Sequence, residues 1–191
     1  MEMSAAASDK CTGYDDMTTV KVYLEKMRQE CFENVMPFWL SYSSDTERGG
    51  FWSCLDKSGE VYDTRKFMWL NGRQIYMYAC IAYSYSEEEL RQLSNGMISR
   101  KQMLADATAA ADFMYENGVR EDDGRVYFSL TKEGTPYHME RKIFSACFLC
   151  LGLGTLAATL LKDDDGNGDG SSSAGERLRK RCLVLLDSVV S

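Results

Sequence analysis

Residues 50–70, GFWSCLDKSGEVYDTRKFMWL, are echoed by residues 124–146, GRVYFSLTKEGTPYHMERKIFSA. At a shift of 75, Leu55 meets Leu130, Lys57 meets Lys132, Gly59 meets Gly134, Tyr62 meets Tyr137 and Lys66 meets Arg141. The leading glycines, Gly50 and Gly124, are 74 apart, which implies a one-residue difference before the first strand. Each copy reads as a short aromatic hairpin between two helical patterns, turned in the first copy by Lys-Ser-Gly. A period of this size marks units that bury their apolar faces only by stacking. Hairpins at one end of successive helix pairs crowd together at one mouth. The expected fold is all-α, a toroid of paired helices whose inner members line a central hole.

Working outward, Met17, Val20, Leu24, Met27, Cys31, Val35 and Phe38 recur at threes and fours. They predict a helix from Asp15, ended by Pro37 and the segment SYSSDTERGG. A second helix is expected over 64–85. SEEELRQLSNG, 86–96, reads as a solvated connection. A third helix is expected over 100–117, stopped by Gly118. A fourth, over 141–161, is nearly all apolar or small and so reads as buried on most sides. The domain organisation read from this pattern is a disordered tail at 1–14, helical repeats over 15–161, a flexible acidic Gly/Ser linker at 162–175, and the start of a further helix at 176–191.

The net charge of the 191 residues is −7, which gives no electrostatic support to nucleic-acid binding. No apolar run is expected to reach the ~18 residues of a membrane span, and the N-terminus lacks a basic-then-apolar leader pattern. No membrane partner and a cytoplasmic location are the matching expectations. The chain has seven cysteines. Cys147 and Cys150 form a C-x-x-C inside an apolar helical pattern with no second pair, so they read as buried thiols of a reducing compartment rather than metal ligands. No metal site is assigned.

In KFMWLNGRQIYMY, 66–78, Arg73 interrupts a run of aromatic and aliphatic residues. A charge there needs a partner or a polar cavity. Spacing alone leaves two readings open. Arg73 is a salt-bridged structural residue with Trp69 in the core, or both reach into the hole, one helical turn apart on one face.

The segment FWLSYSSDTERGGFWSCLDKSGEVYDTRKFMWLNGRQIYMYACIAY, 38–83, resembles the N-terminal portion of the N-acylglucosamine 2-epimerases, also called renin-binding proteins. The resemblance rests on Phe38-Trp39, Gly49-Gly50-Phe51, Gly59, Tyr62-Asp63 and WLNGRQIYMY, and the second repeat extends it. It implies an (α/α)6 barrel, here an incomplete N-terminal part with short β-hairpins. It also implies interconversion of N-acetylglucosamine and N-acetylmannosamine by proton transfer at C2, a step of amino-sugar and sialic acid metabolism. No cofactor is then needed for the chemistry, and ATP is a possible activator. Arg73 becomes the catalytic arginine of a W-x-x-x-R element, donating to sugar hydroxyls or a developing enolate oxygen. Trp69 offers its ring to the sugar, and Tyr127 lines the mouth as a second substrate-binding residue. An N-acetylated amino sugar, renin and a second copy of the chain are the implied partners.

Proton removal and return at opposite faces of one carbon calls for two groups that titrate near neutrality, usually histidines. The chain has one, His138, and it matches neither acid/base histidine of that family. The expectation is a truncated epimerase lacking those histidines. The alternative is a non-catalytic binding protein of renin-binding type on the same helices. Separately, Asp165 to Glu176, DGNGDGSSSAGE, fits a calcium-loop pattern, but Ser172 stands where an apolar residue normally pairs with a sister loop. A slack linker is the preferred reading.

Overall fold

The computed structural model describes residues 17–164 and 174–190. The tail at 1–14 and most of the calcium-type stretch, 165–173, lie outside the described residues.

Helix α1 (Met17–Glu30) passes through a π-helical turn, Cys31–Val35, into α2 (Met36–Tyr42). Pro37 does not end the helix. The Met36 N–H reaches back five residues to the Cys31 carbonyl. Proline lacks a donor and crowds the carbonyl four residues before it, and the wider π turn absorbs that misfit. The helix stops at Ser43, whose N–H and Oγ both donate to the Trp39 carbonyl, at 3.0 and 2.5 Å. The apolar stripe of α1 is uncovered: Val20, Leu24 and Met27 are exposed, and burial begins only at Phe32.

Two hairpins follow one template. The first pairs β1 (Cys54–Leu55) with β2 (Val61–Asp63). Strand β3 (Lys66–Phe67) then joins β4 (Ser129–Leu130) and β5 (Pro136–His138) of the second hairpin in a three-stranded antiparallel sheet. The repeat keeps a register of 75 throughout. The bridge between Ser44 and Phe51 recurs between Val119 and Val126. The bond from Trp52 N–H to the Ser43 carbonyl recurs from Tyr127 N–H to Gly118. The expected one-residue slip is absent, because Gly49, not Gly50, is the counterpart of Gly124. Both have positive φ, 91° and 68°, and both N–H groups bond the carbonyl four residues back, Asp45 and Arg120. Gly59 and Gly134 close the two turns at φ 88° and 95°. A Cβ on Gly59 would meet the Tyr42 ring and one on Gly134 would meet Asn117, residues that are themselves 75 apart.

Helix α3 (Met68–Ser84) packs along α6 (Phe144–Asp164). A Cβ on Gly72 would lie 2.6 Å from the Phe148 carbonyl, and one on Gly152 would lie 2.6 Å from the Gly72 carbonyl. The two glycines let the helix backbones touch, and Thr159 Oγ1 donates to the Ala79 carbonyl further along. Outside this inner pair lie α2, α5 (Arg100–Gly118) and α7 (Ala174–Val190). Inner helices backed by outer ones, with hairpins between, give the all-α architecture of part of an (α/α) barrel.

Three further expectations are corrected. The segment read as a solvated connection contains a helix, α4 (Glu87–Leu93), started by a capping box in which Ser86 and Glu89 satisfy each other's backbone N–H. Leu90 anchors it in the core. Helix α6 is long and apolar enough to cross a membrane by length and composition, and about half of that stretch is buried against its neighbours. Its small residues serve packing on α3. The cysteine reading also changes: the six described cysteines are free thiols, and Cys147 is exposed rather than buried.

Candidate active site

The buried face of α3 carries Met68, Asn71, Gly72, Ile75, Tyr78, Ala79 and Ala82. The remaining face carries Trp69, Arg73, Tyr76 and Cys80, spaced by fours and threes, turned away from the outer helices. Asn71 holds the start of α3 on the hairpin: its Oδ1 accepts from Phe51 N–H at 2.6 Å, and its Nδ2 donates to the Phe67 carbonyl at 3.1 Å. With both amide ends engaged in the core, the direction of the next two turns is fixed, and so is the exit vector of Arg73.

The Arg73 guanidinium is exposed and has no carboxylate partner among the described residues. It lies over two aromatic rings, 5.8 Å from the Trp69 centroid and 5.3 Å from the Phe148 centroid. The rings sit 6.4 Å apart and tilted. This cation–π platform comes from both repeats, since Phe148 occupies the Arg73 position of the second copy. It orients the charge without neutralising it. On its other side Arg73 edges a cavity of about 360 Å³ between the α1–α2 segment and α3, with Met36, Trp39, Leu70 and Met77 among its apolar lining. The polar floor includes Gln74, whose Nε2 donates to Ser43 Oγ at 2.6 Å and to Tyr78 Oη at 3.2 Å. Burial pushes the Tyr78 phenol above its ordinary range, so it stays a neutral donor and acceptor.

Trp69 and Arg73 are thus brought together. Tyr127, in the second hairpin, is partly buried: its ring packs on the core and its N–H donates to the Gly118 carbonyl. His138 is exposed on β5, its ring edge-on to Phe128 at 5.6 Å. Phe148 escaped sequence reasoning, although the 75-residue register pointed to it.

The family model for N-acylglucosamine 2-epimerase (GlcNAc 2-epimerase) matches residues 50–168. The chain belongs to the N-acylglucosamine 2-epimerase family. It is 33% identical over 177 residues to the N-acylglucosamine 2-epimerase of Bos taurus, covering 92% of this chain and 36% of that protein. It is 34% identical over 139 residues to that of Homo sapiens, covering 72% of this chain and 30% of that one. A crystal structure of a sugar epimerase from a ruminal bacterium superposes with a TM-score of 0.63 at 20% identity, covering 87% of this chain and 36% of that one. The chain therefore spans about a third of the length of the N-acylglucosamine 2-epimerases it matches. That third contains both repeats, the sheet that joins them, and the Trp69–Arg73 face.

Proposed function

We propose that this chain provides the arginine wall of a sugar 2-epimerase site that interconverts N-acetylglucosamine and N-acetylmannosamine. One observation carries the reading: Arg73 holds an unneutralised charge on a platform of Trp69 and Phe148, facing open space, in a chain of this family. Removal of the C2 proton from the open-chain sugar leaves negative charge on the neighbouring oxygen. A guanidinium fixed by stacking donates there without first having to break an ion pair. Trp69 presents a flat ring edge to the sugar. The proton must leave one face of C2 and return to the other, which takes two acid/base groups. Among the 191 residues only His138 is a histidine, and it stands on the hairpin, so this polypeptide alone is expected to bind sugar without epimerising it.

The test has two parts. N-acetylmannosamine titrated into the purified chain changes its tryptophan fluorescence, and Arg73→Ala abolishes the change. The same chain, incubated with N-acetylmannosamine and ATP, yields no N-acetylglucosamine. Absence of binding by the unmodified chain sinks the sugar reading. Clear turnover refutes the expectation about the acid/base groups.

The single histidine also favours a second reading, a binding protein of renin-binding type on the same helices. In that case renin or a second copy of the chain is retained on a column of this protein and free sugar does not compete. ATP as an activator and a cytoplasmic setting belong to the epimerase reading.

A further inference from the structure

Helices α6 and α7 present a pair of cysteines to each other. Cys182 of α7 places its Sγ 3.4 Å from the Cys150 carbonyl of α6. It also lies 3.4 Å from where a Cβ on Gly154 would be, so the sulfur packs against the turn of α6 that follows Cys150. Cys150 and Cys182 thus face each other across the contact between α6 and α7. Both are free and half-buried, and Cys147, one turn before Cys150, is exposed. Neither Cys150 nor Cys182 is among the residues that Arg73 lies over.

We propose that Cys150 and Cys182 form a reversible oxidation site, closed by peroxide into a disulfide that fastens α7 to α6. The Cys182 thiolate attacks the peroxide, taking one oxygen as a sulfenic acid and releasing hydroxide. The Cys150 sulfur then attacks the sulfenic sulfur, an S–S bond forms, and the oxygen leaves as water with the Cys150 proton. Two thiols are oxidised and one peroxide is reduced. Cys182 is the nucleophile because a hydrogen bond from the Cys150 thiol stabilises its thiolate, bringing it from an ordinary 9.0 down to about 7. The same bond pushes Cys150 up, so it keeps its proton until the second step. At neutral pH Cys182 is therefore more often a thiolate than an ordinary cysteine and reacts with peroxide first.

The experiment exposes the reduced full chain to hydrogen peroxide at neutral pH, alkylates remaining thiols and digests with trypsin. The expected product is peptide 143–162 linked to peptide 182–191, reversed by dithiothreitol. Peptide 143–162 carries both Cys147 and Cys150. Cys147→Ser therefore keeps the cross-link and Cys150→Ser loses it. Cys182→Ser also slows the first thiol loss several-fold. Oxidation raises the thermal midpoint of the unmodified chain and of Cys147→Ser, and leaves that of Cys182→Ser unchanged. A link through Cys147, or oxidation of Cys182 to sulfinic acid with no linked peptide, overturns the proposal.

Discussion

The Lys66 ammonium donates to the Asp45 carboxylate at 2.6 Å with both side chains buried. It also donates to the Gly49 carbonyl at 2.6 Å and, across the repeat boundary, to the Lys132 carbonyl at 3.1 Å. The Phe113 ring lies 4.0 Å from the same nitrogen. One amine thus ties the first hairpin to the turn of the second. In the second repeat the counterparts of Asp45 and Lys66 are Arg120 and Arg141, two like charges, and Arg141 is exposed. The backbone register survives there while the polar centre does not.

Burial depresses Lys66 below the ordinary lysine range, more than its bond to Asp45 raises it. The unfolded chain therefore binds this proton more tightly than the folded one. Stability rises with pH between the depressed value and 10.5, and the charged form is a cost at neutral pH. Lys66→Met alone strands a buried carboxylate and should destabilise by about 3–5 kcal/mol. Lys66→Met with Asp45→Leu should recover most of that loss and flatten the alkaline rise. Urea midpoints of the cycle decide it, and a double variant several kcal/mol weaker than the unmodified chain would show that the pair is net stabilising.

That pair was not legible in the sequence, because Asp45 and Lys66 sit in segments whose other polar residues are solvated. The repeat was legible because turn glycines and Leu55/Leu130 have few substitutes at those backbone angles and depths. Helix α5 was readable from its apolar spacing and terminal glycine. Helix α4 was hidden by Glu87, Glu88 and Glu89, which look like loop acids until Ser86 and Glu89 are read together as a cap. The π turn left no trace except Pro37, which reads as a stop. Of the site, Trp69 and Arg73 stood out as misfits in an apolar run, while Phe148 looked like one more core aromatic.

The backbone approach at Gly72 gives a second test. Its Cβ would strike the Phe148 carbonyl and the Leu149 nitrogen, both main-chain atoms inside α6, so neither can swing aside. Gly72→Ala gains helix propensity but forces the inner helices apart. The loss should be about 2–3 kcal/mol, seen as a lower urea midpoint. Gly96→Ala is the control, since nothing lies within 4 Å of its Cβ position. Its positive φ of 81° makes a smaller loss, of about 1 kcal/mol, the expected result.

Asp106 gives a pH test. It accepts from Ser44 Oγ at 2.8 Å, and burial raises its carboxyl above the ordinary value of 3.8, outweighing the hydrogen bonds from Ser44 and Gln102. A raised folded value means that its contribution to stability is present below pH 3.8 and lost as pH rises through the folded value. Asp106→Asn keeps an acceptor for Ser44 and does not titrate. Thermal midpoints should match the unmodified chain in acid and exceed it at neutral pH. A variant that is less stable at neutral pH would mean the carboxylate is welcome where it sits.

Arg73 separates structure from function most directly. A structural arginine would hold a carboxylate or carbonyl, and its removal would cost several kcal/mol. This one is exposed, has no carboxylate partner among the described residues, and lies over the Trp69 and Phe148 rings at cation–π range. Arg73→Ala should therefore cost no more than about 1 kcal/mol in stability. Arg73→Lys keeps the charge but loses the planar fork, and should leave stability unchanged while weakening sugar binding at least about tenfold. Denaturant midpoints and fluorescence titrations with N-acetylmannosamine, run on the same three proteins, give both readouts. A large drop in the midpoint of Arg73→Ala would place this residue in the scaffold instead, and the sugar-facing role of the α3 surface would fall with it.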